Sequence, residues 1–238
     1  MANSWFRFKQ FTIEQGKSAM KVGTDGVLLG AWADVSTANN ILDIGAGTGL
    51  IALMLAQRSP LSNITAIEID HLASEQALEN FQNSPWSNRL SLFNQSVQTY
   101  AKDTSRSFDL IVSNPPYFEN ISTSDNTQRQ IARHTNTLSF EELLEAVQKL
   151  LMADGVFSVI LPYSHKPTFV ELAKQQSLFL NKVTHVYPTN KSEIKRMLLS
   201  FSFKDIEIKQ DSLVIEPEQR HQYSKEYIQM TKDFYLNF

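Results

Sequence analysis

The feature that most narrows the folds open to this chain is an alternation. The runs NILDIG (40–45), ITAIEID (64–70), FDLIVS (108–113) and GVFSVILP (155–162) are almost continuously apolar, and RLSLF (89–93) is a further strand candidate. Between them, LIALMLAQR, HLASEQALENFQ and SFEELLEAVQKLLM carry helical periodicity. The last opens with a capping box, Ser139 with Glu142 three residues on, and keeps its period to Met152. Strands apolar on both faces, alternating with helices, belong to a parallel sheet covered on both sides. The first strand is expected by residue 40, and ADG (153–155) reads as a turn. Beyond it, FLNKVTHVYP, RMLLSFSF and DIEIKQDSLVI come one after another as strands without long helices between them, which implies an antiparallel finish to the sheet. The stretch 117–137 is long for a loop in a compact domain, a length typical of functional lids or disordered segments.

Composition removes several kinds of chemistry. The 238 residues suffice for one α/β domain with additions, or at most two small domains, and contain no cysteine. Disulfides, thiolate metal sites and cysteine nucleophiles are therefore excluded. The five histidines are scattered without HxxxH or HxH spacing, so no structural metal is expected. MANSWFRFKQF lacks a long apolar core; neither a signal peptide nor a membrane span is expected, and the expected location is the cytoplasm. A net charge of −3 argues against indiscriminate coating of nucleic acid but allows a local basic face. The stretch 190–204 offers one, with Lys191, Lys195, Arg196 and Lys204 against Glu193. The same residues also read as a solvated strand edge protected by lysines.

The chemistry gathers where strands end. In LDIGAGTGL, glycines 45, 47 and 49 permit a tight turn and close approach of a ligand to the backbone. The spacing is G-x-G-x-G, not the dinucleotide G-x-G-x-x-G, and no Lys-Ser or Lys-Thr comes after it as in a P-loop. Asp43 would repel a phosphate but suits a cationic amine, directly or through water. Glu68, at the end of the second strand, can accept both hydroxyls of a ribose. A ligand with a ribose, an amine and no phosphate is S-adenosylmethionine. The alternative is that the glycines only pack a helix on the sheet while Glu68 is exposed.

SNPPYF (113–118) closes the FDLIV strand with two prolines, which stop a ladder and stiffen the turn beyond it. An exocyclic amine on a base is planar and a poor nucleophile. The side-chain carbonyl of Asn114 and the backbone carbonyl of Pro115 could grip its two hydrogens, with Pro116 holding the turn rigid. Tyr117 offers a ring on which a flipped base can stack. The plainer reading is a rigid connector.

DIGAGTG, AIEID and NPPY in this order resemble the class I S-adenosylmethionine-dependent amino methyltransferases. FTIEQGKSAMKVGTDGVLLGAWA (11–33) and YSKEYIQMTKDFYLNF (223–238) resemble, more specifically, the bacterial tRNA1(Val) adenine-N6 methyltransferases. The resemblance implies a Rossmann-like α/β fold with a mainly parallel, seven-stranded-type sheet and helices on both faces. It implies methylation of the adenine just 3′ of the anticodon, position 37. It makes Asp43, Gly45, Gly47 and Gly49 the cofactor loop, Glu68 the ribose ligand, and Asn114 to Tyr117 the target-amine site, with Asn114 also beside the cofactor. KVGTDG (21–26), with Lys21, Thr24 and Asp25, becomes a segment closing over the methionine end of the cofactor; Thr24 and Asp25 also read as helix caps. The family's third strand usually leads to an aspartate that reads the cofactor's adenine amine, whereas FNQSVQ places Ser96 there.

The reading is thus a single domain over 1–238, with a core at 39–215, a covering segment at 1–38 and an extension at 216–238. Its partner is tRNA through the anticodon stem-loop, with no membrane and no obligate protein partner. Lys191, Lys195 and Arg196, and from the long loop Arg129, Arg133 and His134, are the candidate RNA contacts. Guanine-N2 methylation of ribosomal RNA, glutamine-N5 methylation of a release factor, and an inactive RNA-binding module are the alternatives.

Overall fold

Continuously apolar strands need cover on both faces, and the computed structural model, which describes residues 3–18, 20–116 and 138–238, supplies it. The chain opens with an antiparallel hairpin, β1 (Trp5–Arg7) and β2 (Thr12–Glu14), so two short strands precede the one expected by residue 40. Burial of Phe8, Phe11 and Ile13 ties this hairpin to the body. Next come α1 (Thr24–Trp32), β3 (Asn40–Ile44), α2 (Leu50–Arg58), β4 (Asn63–Glu68), α3 (His71–Gln82), β5 (Leu90–Asn94), α4 (Val97–Asp103) and β6 (Phe108–Ser113). After the undescribed 117–137 come α5 (Phe140–Leu150), β7 (Leu151–Pro162), α6 (Lys166–Gln175), β8 (Phe179–Tyr187), β9 (Arg196–Ser202), β10 (Lys209–Val214) and α7 (Lys225–Thr231).

Among the described residues the main sheet has eight strands, one more than the seven-stranded type, in the order β10-β8-β9-β7-β6-β3-β4-β5. Its fold is Rossmann-like. The antiparallel finish comes from β9, which lies antiparallel to β7 and to β8. Because β9 has a partner on each side, β10 cannot sit beside it and runs parallel to β8 at the sheet edge. A helix, α6, separates β7 from β8, in a stretch to which the sequence pattern assigned no element, and no α-helix lies between β8, β9 and β10. The ADG turn is absorbed into β7 as an irregularity in its pairing with β6. Gly155 sits there, where a Cβ would come within 2.9 Å of the Phe108 carbonyl oxygen.

Each face carries its own core. Ile41, Ile64, Leu110, Val112, Ile160 and Val186 pack toward α1 and α2. Leu42, Ile44, Ile111, Phe157, Val159 and Phe201 pack with Leu143 and Val147 of α5 and Phe169 of α6. Helices α1 and α2 lie in parallel and close together, since Gly26 meets Leu50 and Gly30 meets Met54. The capping box of α5 forms, with Ser139 and Glu142 bonding each other's backbone amides. Thr24 and Asp25 do not cap α1; Gly23 takes that position with no side-chain bond, and Asp25 instead pairs with Arg196.

Strand order reverses between β3 and β6, whose carboxyl ends lie side by side with Ser113 opposite Ile44. Such a switch point opens a crevice at the carboxyl edge, the usual ligand site of a doubly wound sheet. Gly49 makes the turn from β3 into α2 there, at φ 82°, where a Cβ would lie 2.5 Å from the Phe81 ring. Left-handed strain and overpacking should together make Gly49→Ala less stable by about 2–4 kcal/mol. Urea unfolding measures this, and an unchanged midpoint would show that the turn tolerates a side chain.

Candidate active site

The loop from β3 to α2 is built on two carboxylates and an amide. Glu68, at the end of β4, is buried and accepts hydrogen bonds from the backbone amides of Gly47, at 2.7 Å, and Asp70, at 2.8 Å. One lone pair on each oxygen remains for a ligand. The Ile67 carbonyl accepts from both Gly45 and Ala46 backbone amides. Asp43, fully buried on β3, accepts from the Ala52 amide at 3.1 Å and so supplies the N-terminal cap that Gly49 cannot. Its other oxygen, Oδ1, has no hydrogen-bond partner among the described residues. Burial pushes the Asp43 carboxyl up to about 7; the Ala52 bond opposes the shift and nearby Glu68 adds to it.

The donor set fits S-adenosylmethionine on grounds visible in the structure. The orphaned buried Oδ1 of Asp43 has the chemistry to take an ammonium group. Gly45 and Gly47, both at positive φ, have nothing within 4 Å of the point where a Cβ would stand, so the backbone edge is open to a ligand. Beside Glu68, Ile69 is 56% exposed, and Phe93 at the end of β5 is also exposed. Phe93 pairs with Ile67, two residues before Ile69, so both put apolar surface near the carboxyl edge. Ser96 caps α4 by accepting from the Thr99 amide and donates to the Thr99 hydroxyl at 2.9 Å. A hydroxyl retains acceptor capacity in that arrangement.

Asn114 and Pro115 come directly after β6, Pro115 buried and Pro116 exposed. The preceding Ser113 is buried and donates to the Ile44 carbonyl at 2.9 Å, locking the start of NPP to the strand that carries the glycine loop. Tyr117 lies outside the described residues, as do Arg129, Arg133 and His134.

Known proteins share both this sequence and this architecture. Residues 18–162 match the family model "Methyltransferase small domain". A "tRNA1(Val) (adenine(37)-N6)-methyltransferase" from Flavobacterium psychrophilum is 50% identical over 97% of this chain and 99% of its own length. A relative of the same name from Phocaeicola vulgatus is 49% identical, with each chain covered completely. The chain belongs to the tRNA1(Val) (adenine(37)-N6)-methyltransferase family. Its fold matches a crystal structure titled a predicted O-methyltransferase from Agrobacterium tumefaciens, at TM-score 0.68 and 18% identity, covering 88% of this chain and 96% of that one. Among the described residues, no group of three or more His, Cys, Asp or Glu could hold a metal ion, and no helix is long and apolar enough to cross a membrane.

In this family member the residues singled out from sequence fall into two groups on one edge. The glycine loop, Asp43, Glu68, Ser96 and Asn114 surround the switch point. Lys191, Lys195 and Arg196 lie further along that edge: Arg196 opens β9 opposite Pro162, the last residue of β7. Lys191 and Lys195 are exposed, whereas Arg196 is half-buried and donates from Nε to Asp25 at 2.7 Å. Lys204 pairs with Asp154 at 2.7 Å. Lys21 donates to the carbonyls of Gln15 and Ser18, which folds the covering segment back on itself.

Sequence reasoning missed Asn80. Buried on α3, it accepts from the Glu14 amide at 2.8 Å and donates to the carbonyls of Glu14 and Thr48, both at 2.9 Å. One amide side chain thus joins the N-terminal hairpin to the glycine loop. Gln76, one turn earlier, accepts from the Lys17 amide. A signal exists in the sequence: Gln76 and Asn80 share the buried stripe of α3 with Ala73 and Ala77.

Both the amide brace and the buried acid are open to measurement. Asn80→Ala leaves buried backbone groups unpaired and should destabilise the fold by roughly 1–3 kcal/mol per group left unsatisfied, with weaker S-adenosylmethionine binding by calorimetry. Asp43 keeps its proton in the folded protein up to about 7, against 3.8 as the ordinary value. The ligand-free native state therefore binds the extra proton, and stability falls as pH rises across that window. Asp43→Asn should abolish the slope in a denaturation series from pH 4.5 to 7.5; an identical slope in the mutant would assign it to another group.

Proposed function

We propose that this protein methylates N6 of adenine 37 in a tRNA of the tRNA1(Val) type, in the cytoplasm, with S-adenosylmethionine as donor. The observation that carries the reading is the adjacency of Asn114–Pro115 to the glycine loop through the Ser113–Ile44 contact. It supports the reading that two carbonyl acceptors stand next to the cofactor.

S-adenosylmethionine supplies an electrophilic methyl group when bound. Asp43 would hold the ammonium end through Oδ1, and Glu68 the ribose hydroxyls through its remaining lone pairs. Ile69 and Phe93 would flank the cofactor's adenine, with Ser96 accepting from its amine. The segment holding Lys21, Thr24 and Asp25 would cover the methionine end. Asn114, through its side-chain carbonyl, and Pro115, through its backbone carbonyl, would accept the two hydrogens of the target amine. That grip draws the nitrogen toward a tetrahedral shape and becomes stronger as positive charge develops on it. The buried Pro115 and rigid Pro116 keep both acceptors from swinging away, so catalysis rests on positioning rather than on a strong base. Tyr117 would stack on the extruded base. Exposed Lys191 and Lys195 would meet phosphates of the anticodon arm, with Arg196, Arg129 and Arg133 as further contacts.

The test offers labelled donor with total tRNA, ribosomes and a release factor separately, with nucleoside analysis of the products. N6-methyladenosine in tRNA supports the reading; label in ribosomal RNA or in a glutamine side chain defeats it. Asn114→Ala should lower single-turnover rates on tRNA by about 10²–10³-fold while donor affinity stays close to wild type. A near-normal rate would remove the amine-gripping role.

A further inference from the structure

A cavity of about 290 Å³ opens along the β8–β9–β10 part of the sheet, with β7 between it and the crevice at β6 and β3. Half-buried Pro188 and Ile215 present its apolar wall, backed by the fully buried Leu28 of α1 and Val186 near the end of β8. Its rim is polar: Thr24, Lys195 and the Asp25–Arg196 ion pair. The pair fixes the guanidinium, since Arg196 Nε donates to Asp25 at 2.7 Å while Nη1 donates to the Lys195 carbonyl at 3.1 Å. Lys195 is exposed beside it.

The register places this rim on the active edge. Ser113 of β6 pairs with Val159 of β7, and Pro162, three residues on, pairs with Arg196 of β9. From the end of β6 to the start of β9 is two strand spacings, roughly 10 Å.

We infer that this cavity is a subsite for a nucleotide flanking the methylated adenine, the nucleotide beside it or one beyond. The inference rests on the tRNA reading above. Proteins that read single-stranded RNA loops splay bases into apolar clefts, stack them on flat groups such as a guanidinium, and neutralise the phosphate with a cation. The cavity has those parts in that order: an apolar wall for a base, a fixed Arg196 plane at the lip, and Lys195 outside for the phosphate. Asp25 adds a selective element, because its carboxylate can accept from an exocyclic amine at the rim and would repel a phosphate placed there. The subsite thereby sets which loop sequence is presented to Asn114. It also ties RNA binding to the covering segment, since Thr24 and Asp25 belong to both.

The experiment uses anticodon stem-loop hairpins carrying one abasic residue at each position within two nucleotides of the target adenine. On wild-type protein, one position should lower kcat/KM by roughly five- to a hundred-fold, the range of one lost base contact. Ile215→Trp, which fills the cavity from a half-buried position, should lose a comparable factor on the intact hairpin and become insensitive to that abasic substitution. Lys195→Glu gives a second variant at an exposed position; it should raise KM while retaining sensitivity to the same abasic residue. Equal kcat/KM for every abasic hairpin on the wild type, or undiminished sensitivity in a folded Ile215→Trp, would overturn the subsite. Failure of the wild type to methylate any tRNA adenine would instead overturn the functional reading. Donor affinity of both variants, measured by calorimetry, should equal wild type, because neither residue faces the glycine loop.

Discussion

The active edge depends on how one loop is held from beneath. Three glycines at positive φ leave the backbone between β3 and α2 with only Ala46 and Thr48 to pack, so its shape is largely imposed by partners. Glu68 holds the Gly47 amide, Asp43 holds the start of α2, and Asn80 holds the Thr48 carbonyl. All three are buried, and buried hydrogen bonds to charged or amide groups are costly to break. The same carboxylates that shape the loop retain acceptor capacity on its ligand side. A loop supported this way is preorganised, and little ordering remains for a ligand to bring about.

The N-terminal segment ties that loop to the opposite half of the sheet. At one end Asn80 and Gln76 of α3 pin residues 14–17, with Lys17 also paired to Glu79. At the other, Asp25 is joined to Arg196 of β9. The segment therefore runs from the cofactor side of the carboxyl edge to its cationic side. The C-terminus supports it: Lys9 donates to the carbonyls of Lys232 and Phe238, and Phe6, Phe8 and Tyr235 meet ring to ring. These two termini thus act as one brace against the body of the domain.

Much of this is legible in the chain, for local reasons. A buried parallel strand must be apolar on both faces, so NILDI, NITAIE and FDLIVS stand out. A turn at positive φ favours glycine, which marks the loop between β3 and α2, and two prolines after a strand mark a rigid stop. The C-terminal strands are recognisable as strands, but their order is not. β9 inserts between β7 and β8, and β10 then has only the outer edge of β8 to pair with; pairing is a contest between edges that no single strand records. The helices α4 and α6 escape notice: α4 is only seven residues long, and α6 carries a proline in its first turn and buries only Phe169 and Ala173.

The sequence by itself determined the apolar core strands, the glycine turn and the rigid Asn-Pro-Pro stop after β6, because these depend on backbone sterics and local pattern within a few positions. Only the tertiary structure decided what those residues touch. Glu68, expected as a ribose ligand, also carries the loop. Arg196, expected as an RNA contact, is committed to Asp25, 171 positions away. Asn80, unremarkable in its helix, joins Glu14 to Thr48. Each of these pairings is long in sequence and short in space; the burial that strengthens those of Glu68 and Asn80 exists only after the sheet has closed over them, whereas the Asp25–Arg196 pair stays partly exposed.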